Sequence, residues 1–113
     1  MDQAATPPIV ILVRDMIFSS KIFATARAQD CIVKSFRDPA KLLNEPGFRL
    51  IVDLNLEGAI PAAIVWKQAT GGEVVGFVSH VDAFTIAAAR AGGLDRVMAR
   101  SEFVQVLPEL LKS

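Results

Sequence analysis

The chain carries a single cysteine, Cys31, and a single histidine, His80. An internal disulfide is therefore impossible, and a structural zinc site lacks ligands. Charge of either sign is not in excess: 12 Lys and Arg balance 12 Asp and Glu, for a formal net charge of zero. A dedicated nucleic-acid binder needs a cationic face to displace counterions, so no nucleic-acid partner is expected. Long apolar runs are missing too. The run Ile9 to Val13 stops at Arg14-Asp15, well short of the roughly 18 residues that span a bilayer. No basic leader precedes a long apolar region, so neither a secretory signal nor a membrane partner is expected, and the expected compartment is the cytoplasm. Glycine is sparse, and no Gly-x-Gly-x-x-Gly follows the first apolar run, which excludes a dinucleotide fingerprint.

What is present is a globular composition, 52% hydrophobic and 21% charged over 113 residues. That length suits one domain able to bury roughly two-thirds of its unfolded surface. Residues 1–8 are small or polar and end in Pro7-Pro8, which predicts a disordered lead-in; residues 9–113 form a single domain. Ile9 to Val13 is apolar without alternation, as in a strand covered on both faces. Phe18, Ile22 and Ala26 then fall at helical spacing, within a segment from Met16 to Gln29.

The alternation repeats. Strands are expected at Cys31 to Val33, Leu50 to Val52, Val74 to Val78 and, weakly, Arg96 to Ala99. Asp38-Pro39 starts a short second helix ending near Pro46-Gly47. Further helices run over Ala59 to Ala69, stopped by Gly71-Gly72, and Asp82 to Ala91, stopped by Gly92-Gly93. Ser101 is placed to cap a last helix whose apolar stripe is Phe103, Leu107, Leu110 and Leu111. Pro108 should kink that helix or restart it near Val106, because it removes a backbone donor. Strand–helix alternation of this kind makes an α/β domain with a five-stranded parallel sheet and helices on both faces.

Ligands of open parallel sheets bind at the carboxyl ends of the strands. The residues there are Arg14-Asp15, Asp53-Leu54-Asn55, Ser79-His80 and Ala99-Arg100-Ser101. Singly, each reads as a loop or helix-capping residue. Together they bring two carboxylates, a hydroxyl and an arginine to one rim. Elsewhere the bland readings are preferred: Cys31 as an inert packed thiol, Trp66 as core packing and His80 as a partly exposed loop residue.

From about Ile9 to Leu111 this pattern resembles the receiver domain of two-component response regulators. Arg49 to Asn55 resembles the receiver's third strand with its phospho-accepting aspartate. Phe77-Val78-Ser79 resembles the fourth strand ending in a Ser or Thr, and Ala89 to Gly93 resembles the segment before strand five. The resemblance implies a flavodoxin-like fold with strand order 2-1-3-4-5, the first and fifth helices on one face and the second, third and fourth on the other. It implies a phosphorelay role as a stand-alone receiver, without enzymatic turnover beyond autocatalytic acceptance of a phosphoryl group. Asp53 would be the acceptor, Asp15, Asp53 and the Asn55 carbonyl would hold Mg²⁺, and Ser79 would hydrogen-bond the phosphoryl oxygens. Partners would be a histidine kinase or another signalling protein, with a homodimer possible. Output would use the face of helix four, strand five and helix five, here Ala87, Arg90, Arg96, Met98 and Val104.

The departures from the family pattern are specific. Arg14 stands where receivers carry an acidic residue, and Ala99-Arg100 stands where they carry Lys-Pro. His80 follows the hydroxyl where a small residue is usual, and Leu56-Glu57 replaces the Met-Pro-like pair after the acceptor. A missing lysine and an added arginine beside a metal each shift local electrostatics by about 4 kcal/mol at 4 Å and an effective dielectric near 20. An atypical receiver with a weak or absent Mg²⁺ site is expected. Arg14 is placed either to pair with Asp53 or to reach outward along the surface, and Arg100 could swing in for the missing lysine. The alternative function is a small α/β enzyme or nucleotide-binding protein using the same rim, although no nucleophile–base pair or phosphate-cradling loop is present.

Overall fold

The computed structural model describes residues 8–80 and 82–112. The expected lead-in lies outside the described residues except for Pro8, whose carbonyl accepts from the Phe48 amide at 3.3 Å. The strands are β1 (Ile9–Leu12), β2 (Val33–Phe36), β3 (Arg49–Asp53), β4 (Glu73–Val78) and β5 (Arg96–Ala99). They form one parallel sheet in the order β2-β1-β3-β4-β5. The α-helices are α1 (Met16–Ala28), α2 (Ala59–Thr70), α3 (Ala83–Ala91) and α4 (Arg100–Leu110).

Side chains alternate across a strand, and that splits β1 between two cores. Ile9 and Ile11 pack with Phe18, Ile22, Phe103 and Leu107 under α1 and α4. Val10 and Leu12 pack with Leu42, Ala59, Ala63 and Trp66 on the opposite face. All four β1 residues are 0% exposed, which is why the run lacks polar alternation. Trp66 is core packing as expected, and its indole N–H donates to the Glu45 carbonyl at 2.7 Å. Gly71 ends α2 in the left-handed region at φ 73°. Among the described residues, no helix is long and apolar enough to cross a membrane.

Local expectations at four places need correction. The second helix is only a 3-10 turn, Pro39–Lys41, with Asp38 accepting from the Ala40 amide at 3.0 Å. The segment before Pro46 is too short to offset the cost of nucleating an α-helix, and the turn suffices to bury Leu42. That face is thus covered by the turn, α2 and α3. Second, β2 begins at Val33 and not at Cys31, because the Cys31 amide donates back to Ala26 at the end of α1. Cys31 is half-buried beside the core, and burial pushes its thiol pKa up. Third, Ser101 does not cap α4. The helix starts at Arg100 directly from β5, with Ala99 at the cap position and no side-chain cap bond. Finally, Pro108 neither ends nor restarts α4, which runs continuously to Leu110. It sits in the last turn, where only the Val104 carbonyl loses its usual donor.

Candidate functional site

Parallel register puts the ends of β1, β3, β4 and β5 at one rim: Leu12 pairs with Val52, Asp53 with Phe77, and Val78 with Ala99. The chain leaves each strand there with a polar residue. Asp53 is the last residue of β3 and is half-buried; its Oδ1 accepts from the Asn55 amide at 3.0 Å. Burial pushes its pKa above the ordinary carboxylate value, and the nearby charge of Asp15 adds to that push. The Asn55 amide and the Arg100 charge oppose it without cancelling it.

Asp15 follows β1 and caps α1. Its Oδ1 accepts from the amides of Ile17 at 2.9 Å and Phe18 at 3.1 Å. The Phe18 amide is the main reason its pKa lies below the usual value, against a weaker opposing effect of burial; Arg100 lowers it further. The other oxygen, Oδ2, lies 3.5 Å from Arg100 Nη2.

Arg100 occupies the middle of the rim. Its Nη1 donates to Ser79 Oγ at 3.4 Å, and its guanidinium carbon lies 3.9 Å from the centroid of the Phe18 ring. Phe18 is 4% exposed. It packs on Phe77 and Phe103 with centroids 5.2 and 5.6 Å away. Ala99, the last residue of β5, brings no charge to the rim; Arg100, one residue later, does.

Asn55 carries a task that sequence reasoning missed. Its side-chain oxygen accepts from the amides of Ser79 at 2.7 Å and His80 at 2.9 Å, and its Nδ2 donates to the His80 carbonyl at 3.2 Å. The side chain thus fixes the loop that presents the Ser79 hydroxyl. An amide two residues past a strand-end aspartate was visible in the sequence. Its partners on the next strand's loop were not.

The structure brings Asp15, Asp53, Asn55, Ser79 and Arg100 to one rim, and it leaves Arg14 out. No ion pair joins Arg14 to Asp53. Arg14 is exposed and lines an open cavity with Arg37, Asp38, Pro39, Leu56 and Glu57. Neighbouring residues leaving a strand point apart, so with Asp15 turned toward α1 and Arg100, Arg14 turns outward toward the β2 edge. His80 is exposed as expected. On the expected output face, Ala87, Arg90 and Arg96 are exposed and Val104 is half-buried. Met98 is a correction: at 6% exposure it belongs to the core and not to the surface.

The donor set fits a divalent metal poorly. Mg²⁺ takes hard oxygen ligands in near-octahedral geometry. Here Asp15 Oδ1 is engaged by two amides, Asp15 Oδ2 faces a guanidinium, and Asp53 Oδ1 is held by the Asn55 amide. Among the described residues, no group of three or more carboxylate, histidine or cysteine side chains is arranged to hold a metal.

No protein-family model matches the chain, and no curated protein matches it. Solved structures do. A CheY-like response-regulator receiver domain protein from Methanospirillum hungatei aligns at 13% identity and TM-score 0.78, covering 95% of this chain and 94% of its own. A response regulator from Burkholderia pseudomallei, solved with a phosphorylated aspartic acid, calcium ion and citrate, aligns at 12% identity and TM-score 0.77, covering 95% and 67%. A receiver domain from Rhodospirillum rubrum aligns at 18% identity and TM-score 0.73, covering 91% and 89%. At these identities the likeness is one of fold. The parallel sheet of this chain is that of the CheY-like receivers, with flavodoxin-like strand order.

Proposed function

We propose that the chain serves as an atypical response-regulator receiver domain in two-component signalling, accepting a phosphoryl group on Asp53 slowly and passing its state to a protein partner by contact. The observation that supports this reading is the convergence of Asp53, Asp15, Ser79 and Arg100 from four strand ends onto one rim of a receiver fold. In the reaction, an Asp53 carboxylate oxygen attacks the donor's phosphorus. A new P–O bond forms, the bond to the leaving group breaks, and its electron pair departs with that group. Phosphoryl transfer depends mainly on positioning and charge neutralisation. Ser79 offers a hydroxyl donor, and Arg100 offers positive charge next to it. The reaction is one acceptance per molecule and not turnover.

The acceptor must be ionised to attack. Because burial raises the Asp53 pKa, reactivity should fall at a higher pH than for an ordinary carboxylate as acid is added. The test is an intact-mass measurement after exposure to acetyl phosphate. A slow, partial gain of one phosphoryl mass is expected, absent in Asp53→Asn. No adduct after prolonged exposure, or an equal adduct on Asp53→Asn, would overturn the proposal.

A further inference from the structure

We infer that the Arg100 guanidinium is a resident cation that takes the place of a divalent metal at this rim. The inference rests on the receiver reading of the site and extends it: the charge that other chemistry would borrow from solution is covalently attached to α4.

Three contacts of different kinds fix the guanidinium. Asp15 Oδ2 lies 3.5 Å from Nη2, Ser79 Oγ lies 3.4 Å from Nη1, and the Phe18 ring lies 3.9 Å beneath the guanidinium carbon. An aromatic face attracts a cation, and arginine stacks on it well. The floor is rigid. Phe18 is nearly buried and meets Phe77 and Phe103, which stack on each other at 4.6 Å between centroids. Phe103 lies three residues beyond Arg100 on α4, so the helix that carries the cation also carries part of its support.

The placement is otherwise unfavourable. Arg100 is the first residue of α4, where the positive end of the helix dipole repels a cation. A cation held there needs compensating negative charge, and Asp15 Oδ2, 3.5 Å away, supplies it. A divalent ion entering between Asp15 and Asp53 would meet the guanidinium's repulsion and find Asp15 already engaged.

The test is a Mg²⁺ titration of the isotope-labelled full chain, following the amide signals of Asn55, Ser79 and His80. Wild type is expected to show no saturable shift at millimolar Mg²⁺. Arg100→Gln keeps hydrogen-bonding capacity but removes the charge, and it should bind Mg²⁺ at least roughly tenfold more tightly. Arg100→Lys, which keeps the charge, should stay close to wild type. The same spectra show whether each variant is folded. Saturable wild-type binding would overturn the inference, as would a folded Arg100→Gln that remains blind to Mg²⁺. Opening of the site by Arg14→Gln in place of Arg100→Gln would overturn it as well. The titration does not use phosphoryl transfer, so the two readings fail separately. Labelling at Asp53 with no gain of metal binding in Arg100→Gln would sink only the resident cation; the gain without any labelling would sink only the receiver reading.

Discussion

Asp53 is a carboxylate whose charge works against folding. Burial first, and then the neighbouring Asp15 charge, raise its pKa in the folded state. The native protein therefore keeps the Asp53 proton to a higher pH than the unfolded chain does, and stability falls as pH rises through that window. Asp53→Asn is expected to raise the melting temperature at neutral pH, with the difference vanishing in acid below the unfolded pKa. A lower neutral-pH melting temperature for Asp53→Asn would contradict this. Asn55 does the opposite kind of work. Replacing it with alanine removes the bonds to the Ser79 and His80 amides and to the His80 carbonyl. A loss of about 1–2 kcal/mol is expected, with faster hydrogen exchange at both amides. Unchanged exchange there would show that the loop holds itself. At this scale the sequence indicated which residue types reach the rim, because strand ends are legible from hydropathy. It did not indicate side-chain direction: Arg14 and Arg100 were both candidate cations, and the contacts of Arg100 with Asp15, Ser79 and Phe18 separate them.

The elements were legible wherever an apolar period met a capping residue or a glycine. β1 showed as an unbroken apolar run, and α3 showed between Asp82, which caps it, and the glycines that follow it. Errors arose where short range competes with tertiary structure. The Asp38-Pro39 start signal is genuine, yet only a 3-10 turn follows because the chain must reach β3 within a few residues. Pro108 was expected to kink α4 or restart it near Val106, and the helix runs as one element to Leu110 because its apolar stripe, Phe103, Leu107 and Leu110, is buried against the sheet. Packing outweighs one missing hydrogen bond. Pro108 is exposed, and its carbonyl accepts from Gln29 Nε2 at 2.9 Å, a bond that alanine could keep. Pro108→Ala should therefore restore a donor to Val104 and stabilise the domain by roughly 1–3 kcal/mol. Denaturant unfolding checks this; a destabilised variant would mean that the proline's fixed φ contributes more than the lost bond.

At the scale of the whole molecule, topology was the most legible property: strand–helix alternation and right-handed crossovers called for a parallel sheet, and the strand order 2-1-3-4-5 followed from the resemblance to receivers. That topology gathers residues far apart in the chain onto one rim and leaves α3, β5 and α4 as a continuous outer face. Ala87, Arg90 and Arg96 lie exposed on that face, a mixed apolar and basic surface of the kind that interfaces use. If it carries the output contact, Arg90→Glu combined with Arg96→Glu should weaken self-association measured by sedimentation at high protein concentration. Unchanged sedimentation of a self-associating wild type would remove the face from consideration. The central claim, that Asp53 is the reactive carboxylate of a receiver-type rim, has a direct chemical test. Borohydride reduces an aspartyl phosphate to homoserine, so peptide sequencing by mass spectrometry after acetyl phosphate and borohydride reads the acceptor itself. Homoserine at position 53 alone is the predicted result; homoserine at Asp15 or at no position would contradict the account.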